Sequence, residues 1–136
     1  MIPYQTKSHL LAGTSSEELN KQVRYIYRKI LAKSKRKPYV RSAYFKKDKI
    51  FFDYFWIHLN KKGRKLKTKR LRYFSAAVDL IQNCRNHPIS KENPNEHDEL
   101  LHRFYGLTVE KFLFCVQIKE EKRSGAKYFM SVFPPG

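Results

Sequence analysis

The spacing of apolar residues changes once along this chain of 136 residues, and that change constrains the fold more than any other feature. Apolar side chains recur at helical spacing up to Asn86, whereas after His97 they alternate with polar ones at a period of two. Helical spacing predicts helices with one buried face, and alternation predicts strands with one buried face. The sequence therefore predicts an α+β fold, in which N-terminal helices pack on one face of a C-terminal antiparallel β-meander.

Three helices are predicted in the first part of the chain. Ser15 and Glu18 form a capping-box pattern at the start of the first helix, and Pro38 stops it. Residues 39–45 are rich in strand-forming side chains and predict a short strand, after which Asp48 is expected to cap the second helix. The buried faces of the second and third helices are predicted to be Phe52, Phe55, Trp56 and Leu59, and Leu71, Phe74, Val78 and Ile81.

The last third of the chain predicts strands joined by hairpins. The two prolines and many polar residues of positions 87–97 indicate a surface loop before the first strand. The three strands are predicted over residues 100–105, 112–119 and 127–133. One domain is expected over residues 1–136, with an N-terminal arm (1–14), a basic helical part (15–86) and a three-stranded antiparallel meander (98–134).

Alternation places the polar side chains of the predicted strands on one face of the sheet. A tight first hairpin puts His102 beside Gln117, whereas a slip of one residue puts Arg103 there, and the sequence leaves both registers open. In the second hairpin, Lys119 is expected opposite Lys127.

This polar face suits RNA cleavage without a metal ion. In such a reaction a base takes the proton of the ribose 2′-hydroxyl, a cation stabilises the phosphorane, and an acid protonates the leaving oxygen. A histidine serves as base or acid because its reference pKa is about 6.5. The alternative is structural, because a single strand histidine is more often a hydrogen-bonded residue, and lysines also protect sheet edges. The candidate catalytic residues are His102, Lys119, Ser131, Arg103, Tyr105 and Gln117.

The charge of the chain predicts a polyanionic partner. The sequence has 29 basic and 12 acidic residues, a net charge of +17, and 20 of the basic residues lie between Lys21 and Arg72 beside only two acids. Such a field attracts nucleic acid, although an anionic membrane surface or an acidic protein remains an alternative. The candidate nucleic-acid-binding residues are Arg24, Arg28, Lys33, Lys35, Arg36, Lys61, Lys62, Arg64, Lys65, Lys67, Lys69, Arg70, Arg72 and Lys127.

Several classes of function find no support in the sequence. The five histidines show no metal-ligand spacing with carboxylates or cysteines, and no phosphate-binding loop, serine-hydrolase elbow or dinucleotide fingerprint is present. No metal and no cofactor are therefore expected. The absence of a long apolar run and of a signal-peptide pattern predicts a cytoplasmic protein without a membrane span. Cys84 and Cys115 are expected to be buried, reduced thiols.

Three segments carry a resemblance to a known superfamily. Residues 101–108 (LHRFYGLT), 114–120 (FCVQIKE) and 127–134 (KYFMSVFP) resemble phage-associated members of the BECR fold, which groups barnase, EndoU, colicin-type tRNases and RelE. The resemblance implies helices followed by a four-stranded antiparallel sheet, whose fourth strand is then 39–45 or absent. It also implies a metal-independent ribonuclease, often a toxin paired with an antitoxin or immunity protein. It favours catalytic roles above all for His102, Lys119 and Ser131.

Three hypotheses follow. The first is a toxin-like endoribonuclease that leaves a 2′,3′-cyclic phosphate on tRNA or on ribosome-bound mRNA. The second is a non-catalytic nucleic-acid-binding module, in which Tyr25, Tyr27, Tyr44 and Tyr73 stack on bases. The third is a protein-interaction domain whose basic face binds an acidic partner.

Overall fold

The computed structural model describes residues 2–13 and 15–135, and over these residues the chain forms four α-helices and a seven-stranded sheet. Met1 and Thr14, the two ends of the predicted arm, and Gly136 lie outside the described residues. The mixed α+β class is confirmed. The helices are α1 (Ser16–Lys33), α2 (Asp53–Asn60), α3 (Arg64–Leu71) and α4 (Phe74–Asn83). The strands are β1 (Tyr4–Gln5), β2 (Tyr39–Arg41), β3 (Lys49–Phe51), β4 (Ile89–Asn93), β5 (Glu96–Leu107), β6 (Leu113–Glu121) and β7 (Lys127–Phe133).

The sheet is built around an antiparallel meander. Strands β4, β5, β6 and β7 pair in that order with antiparallel neighbours. The strand β3 joins β7 in parallel, and β2 pairs antiparallel with β3 at the outer edge. At the opposite edge, β1 runs parallel to the end of β5. The meander is thus extended by short strands from the N-terminal half of the chain.

The first helix begins where its capping pattern predicts. The Ser15 hydroxyl accepts a hydrogen bond from the Glu18 amide at 3.2 Å. The predicted third helix is instead divided into α3 and α4. The carbonyl of Arg72 accepts from the Leu11 amide at 2.9 Å, and the guanidinium of Arg72 donates to the carbonyls of Leu11 and Gly13. The N-terminal arm therefore supplies hydrogen-bond partners to Arg72 at the point where the predicted helix is interrupted.

One face of the sheet and the helices share the hydrophobic core. Phe55 of α2 stacks on Phe129 of β7 with ring centroids 4.4 Å apart. Phe114 of β6 packs against Tyr73, directly before α4. The predicted buried faces of the second and third helices are confirmed, with Trp56 only partly buried.

Two local predictions are wrong, and a third, the strand over 39–45, is confirmed only in part. Asp48 does not cap a helix, because residues 49–51 form β3 and α2 begins at Asp53. The predicted strand over 39–45 ends at Arg41 and turns back into β3. The predicted loop over 87–97 contains β4, which pairs antiparallel with β5. Four of the five side chains of β4 are exposed, so alternation of apolar residues could not reveal it.

In the described part of the chain, none of the helices is both long enough and apolar enough to cross a membrane.

Candidate functional site

The register of the first hairpin decides which polar residues share a face. Arg103 lies opposite Gln117, and His102 lies opposite the buried Ile118. Of the two registers that the sequence left open, the structure adopts the one that places Arg103, and not His102, beside Gln117. Because neighbouring strand residues point to opposite faces, His102 falls on the side of the sheet that the helices cover.

The second hairpin differs from its predicted register and contains a bulge. Ile118 pairs with Phe129, whereas Gln117 pairs with Ser131, so β7 carries one extra residue between the two pairs. On the turn side of this bulge, Lys119 lies opposite Tyr128, and the prediction that it lies opposite Lys127 is wrong.

The face turned away from the core, called the open face below, is a grid of three rows. Five of the six candidate catalytic residues lie on it, and only His102 does not. The rows, read from β5 through β6 to β7, are Leu101, Lys119 and Tyr128; then Arg103, Gln117 and Ser131; then Tyr105, Cys115 and Phe133.

Two arginines approach the same aromatic ring, that of Phe133, at the open face. The Arg103 guanidinium donates to Gln117 Oε1 at 3.1 Å and lies over the ring of Phe133, 5.5 Å from its centroid. Arg70 of α3 reaches the same ring at 5.4 Å. Neither arginine forms an ion pair with a carboxylate of residues 2–13 or 15–135. In the same ranges, the buried Nε of Arg70 finds no hydrogen-bond partner. This pair therefore offers positive charge that the protein itself does not neutralise.

Lys119 is held more tightly than the arginines. Its ammonium pairs with Glu99 at 3.3 Å and lies 4.1 Å from the ring centroid of Tyr54 and 5.2 Å from that of Tyr128. The residue is 8% exposed. Its charge is thus fixed in position and shared with a carboxylate and two aromatic rings.

Cys115 is buried between Tyr105 and Phe133 on the open face. Burial raises the pKa of its thiol to about 12, although the nearby Arg103 and a hydrogen bond with Tyr105 act in the opposite direction. The thiol is therefore protonated near neutral pH and is no nucleophile. Cys84 is also buried and free, as predicted for both cysteines.

His102 belongs to a separate polar chain on the core side, called the His102 cluster. Its Nδ1 lies 2.6 Å from Ser90 Oγ, and its Nε2 lies 2.8 Å from Glu120 Oε1. The ring packs edge-on against Phe45 at 5.0 Å and is 7% exposed. Both ring nitrogens are thus occupied by protein groups.

Lys127 extends the His102 cluster. Its ammonium binds Asp48 at 2.7 Å and lies 3.9 Å from Glu120, and the residue is 7% exposed. The expectation that Lys127 shares the polar face with Lys119 is wrong, because it points toward the core side at the end of the sheet. An ammonium so paired has little charge left for a phosphate.

The helix α2 brings side chains to the open face that the sequence did not indicate. Tyr54 touches Lys119 and Tyr128, so α2 flanks the edge of β7. His58 follows Tyr54 by one helical turn. Burial lowers the pKa of His58, and the charges of Lys61, Lys62 and Lys119 lower it further, so His58 is neutral at pH 7 and able to accept a proton.

The basic helical part displays most of its cations to solvent. Three of the candidate RNA-binding residues in α3 and directly after it are not fully exposed. Arg70 and Arg72 are half-buried, and the ammonium of Lys67 donates a hydrogen bond to Asn60 at 2.8 Å. A cleft of about 360 Å³ between α1 and α3 is lined by Lys62, Arg64 and Lys67 and by polar side chains. The exposed candidates are Arg24, Arg28, Lys33, Lys35, Arg36, Lys61, Lys62, Arg64, Lys65 and Lys69.

The tyrosines proposed to stack on bases are mostly engaged in the protein. Tyr25 is 62% exposed, with the Lys29 ammonium over its ring at 4.5 Å. Tyr27 packs on Trp56, and Tyr44 packs on Phe104. Tyr25 is therefore the one of the four that is well placed for stacking.

Residues 2–13 and 15–135 contain no group of three or more His, Cys, Asp or Glu side chains arranged to hold a metal ion. Comparison of the chain with protein-family models, with curated proteins and with solved structures gave no match.

Proposed function

We propose that this protein is a metal-independent endoribonuclease whose cutting site is the open face rather than the His102 cluster. The observation that carries the proposal is the convergence of Arg70 and Arg103 on Phe133 without a carboxylate partner in the described ranges. A phosphodiester gains negative charge as its phosphorane forms, and two guanidiniums stabilise that charge. Their fork of donors also matches phosphate oxygens better than an ammonium does.

In the proposed reaction, neutral His58 takes the proton of the ribose 2′-hydroxyl. The 2′-oxygen attacks phosphorus, the bond to the 5′-oxygen breaks, and that oxygen leaves with a proton from water. The products are a 2′,3′-cyclic phosphate and a free 5′-hydroxyl. Ser131 and Gln117 orient the phosphate beside Arg103. DNA is not a substrate, because it lacks the attacking hydroxyl.

The resemblance to the BECR fold supports the same proposal. The four antiparallel strands β4–β7 agree with the sheet that the resemblance implies. We propose that they correspond to it, in a RelE-like arrangement. The resemblance extends the proposal to a toxin that acts on tRNA or on ribosome-bound mRNA in the cytoplasm, with an acidic antitoxin or immunity protein as its inhibitor.

A second candidate is a non-catalytic RNA-binding module. The observation that favours it is the position of His102, the strand histidine that the resemblance singles out, which is bound on both sides by Ser90 and Glu120. In this case the exposed cations hold the RNA backbone, and the open face serves only as a phosphate contact.

Cleavage assays with site variants distinguish the two candidates. Pure protein is incubated with total tRNA and with mRNA in excess EDTA, and the ends of the products are analysed. We expect cleavage to 2′,3′-cyclic ends, and we expect Arg103→Ala to slow it by about 10²–10³-fold, as for loss of a charge-stabilising donor. We expect His102→Gln to retain the rate per folded molecule within about threefold, because His102 lies on the other face.

The contrary outcomes are equally clear. Tight, salt-sensitive binding that leaves RNA intact supports the second candidate and overturns the first. A rate that collapses in folded His102→Gln but not in Arg103→Ala moves the site to the His102 cluster. Cleavage of a DNA strand of the same sequence contradicts attack by the 2′-hydroxyl.

A further inference from the structure

A large groove lies on the helix side of the sheet, between α1, β2 and α4. It has a volume of about 1110 Å³, and no residue of the open face lines it. Part of its lining is aliphatic and comes from all three elements. The aliphatic residues are Ile26, Ile30, Val40 and Val78. Three of them are largely buried and Ile26 is half-buried, and the accessible surface of the groove as a whole is more apolar than polar.

The rest of the groove is basic. Among the described residues that line it there is no aspartate and no glutamate. Its cations are all exposed, and none of them forms an ion pair within residues 2–13 and 15–135. The cations are Lys29, Lys33, Arg41, Lys46, Lys47 and Arg85.

Two of these lysines occupy unusual backbone positions. Lys46 and Lys47 have φ angles of 55° and 70°, in the left-handed region that disfavours side chains with a Cβ. The turn is held by the Lys47 amide, which donates to the Ser42 carbonyl at 2.7 Å, and by the Phe45 amide, which donates to Ser42 Oγ at 3.1 Å. The fold thus fixes the backbone of two adjacent, exposed lysines at the rim of the groove.

We propose that this groove binds an acidic, amphipathic helix of a partner protein. Such a helix places its apolar stripe on the aliphatic base and its carboxylates against the basic rim. An RNA backbone satisfies only the rim, because phosphates and ribose have no counterpart for the apolar surface of the groove. The proposal stands apart from RNA cleavage, since the groove and the open face lie on different sides of the sheet.

Binding of a model peptide to the full chain tests the proposal. The probe is a helical peptide of about 18 residues, five turns, with leucines at i, i+3, i+4 and i+7 spacing and glutamates elsewhere. Affinity is measured by calorimetry, and the contact is mapped by methyl NMR. We expect the amphipathic peptide to shift the methyl signals of Ile26, Ile30, Val40 and Val78. We expect a scrambled peptide of the same composition to bind at least about tenfold more weakly.

Two matched variants separate the groove from general charge. Lys46→Asn with Lys47→Asn removes two charges, and asparagine tolerates the left-handed backbone, so the fold is retained. Lys91→Gln with Arg123→Gln removes two exposed charges outside the groove. At equal salt we expect the first pair to weaken peptide binding about tenfold and the second pair by less than about twofold.

Three outcomes overturn the proposal. The first is a peptide that does not bind, or that leaves the groove methyls unchanged. The second is equal weakening by the two variant pairs, which indicates general charge attraction. The third is a single-stranded RNA oligonucleotide that shifts the same methyls and displaces the peptide, which makes the groove an RNA surface.

Discussion

At the scale of single residues, two neighbours in sequence have opposite environments. His102 points to the core side and is bound by Ser90 and Glu120, whereas Arg103 points to the open face and binds Gln117. A register shift of one residue would exchange them. The chemistry of this sheet therefore depends on the residues that fix the register of β5 against β6 and the packing of β5 on the core.

Gly106 is one residue that fixes this packing. A Cβ at Gly106 would lie 2.7 Å from Phe114 Cζ and 2.8 Å from Leu80 Cδ1. Both distances are shorter than those between non-bonded carbon atoms in van der Waals contact. We expect Gly106→Ala to lower the free energy of unfolding by about 1–3 kcal/mol, as for overpacking of a core. Urea unfolding measures the change. Gly63→Ala is the control, because a Cβ there meets nothing within 4 Å, and a loss as large as that of Gly106→Ala would contradict the steric cause.

Glu110 gives a pH dependence at the same scale. The Leu10 amide donates to its carboxylate at 3.0 Å, and His9 approaches it at 3.1 Å. The bond from Leu10 contributes most to lowering the pKa of Glu110 to about 2. A carboxylate whose pKa is lower in the folded state stabilises the fold at pH values above its pKa in the unfolded chain. This stabilisation is lost as the pH falls through its pKa in the folded state.

We therefore expect the stability difference between the wild type and Glu110→Gln to be present above about pH 5 and to vanish toward pH 2. Urea unfolding at a series of pH values measures it. A difference that stays constant over this range would show that Glu110 remains ionised or contributes nothing through its charge.

At the scale of elements, the sequence predicts best what is fixed by local chemistry. The start of α1 depends on Ser15 and its neighbours, and β7 was predicted over residues 127–133, the range it occupies. The strand β4 was missed because its side chains face solvent, although Asn93-Pro94-Asn95 carries turn chemistry. The third helix is divided by bonds from Leu11, far away in sequence, and no local pattern reports such a partner.

The candidate site was only partly predictable for the same reason. Alternation placed Arg103, Gln117, Lys119 and Ser131 among the polar candidates, and it could not fix the face of His102. The turn before β7 sets Tyr128 opposite Lys119, and the bulge, which has no local signal, decides which residues of β7 face Gln117 and Cys115. The approach of Tyr54, His58 and Arg70 depends on how α2 and α3 flank the sheet edge, which is a tertiary feature.

The capping of α1 provides a prediction for an element. Ser15 Oγ accepts the Glu18 amide at 3.2 Å, so Ser15→Ala leaves that amide without its partner. We expect a loss of about 1 kcal/mol in the free energy of unfolding. We expect Ser15→Asp to retain most of the stability, because its carboxylate caps the same amide. Equal losses in the two variants, measured by urea unfolding, would show that the hydroxyl does not act as the cap.

At the scale of the whole molecule, we propose that three separate surfaces have three different binding functions. The exposed cations of α1 and α3 attract the RNA backbone, the open face handles one phosphate, and the groove between α1, β2 and α4 accepts a protein. The net charge of +17 links them, because it draws RNA and an acidic partner to one molecule. A partner bound at the groove would neutralise cations of α1 and so weaken RNA binding without touching the open face.

Salt dependence of RNA affinity tests this division. Each phosphate contact contributes about −0.7 to the slope of log affinity against log salt for a single strand. Lys65 and Lys69 are two exposed residues of α3. We expect Lys65→Gln with Lys69→Gln to make the slope less steep by the amount that corresponds to the loss of about one to two phosphate contacts. The charge-matched pair Lys91→Gln with Arg123→Gln should leave the slope unchanged. Anisotropy titrations over a salt series measure both, and identical slopes in the two pairs would mean that net charge alone, rather than the helical surface, holds the RNA.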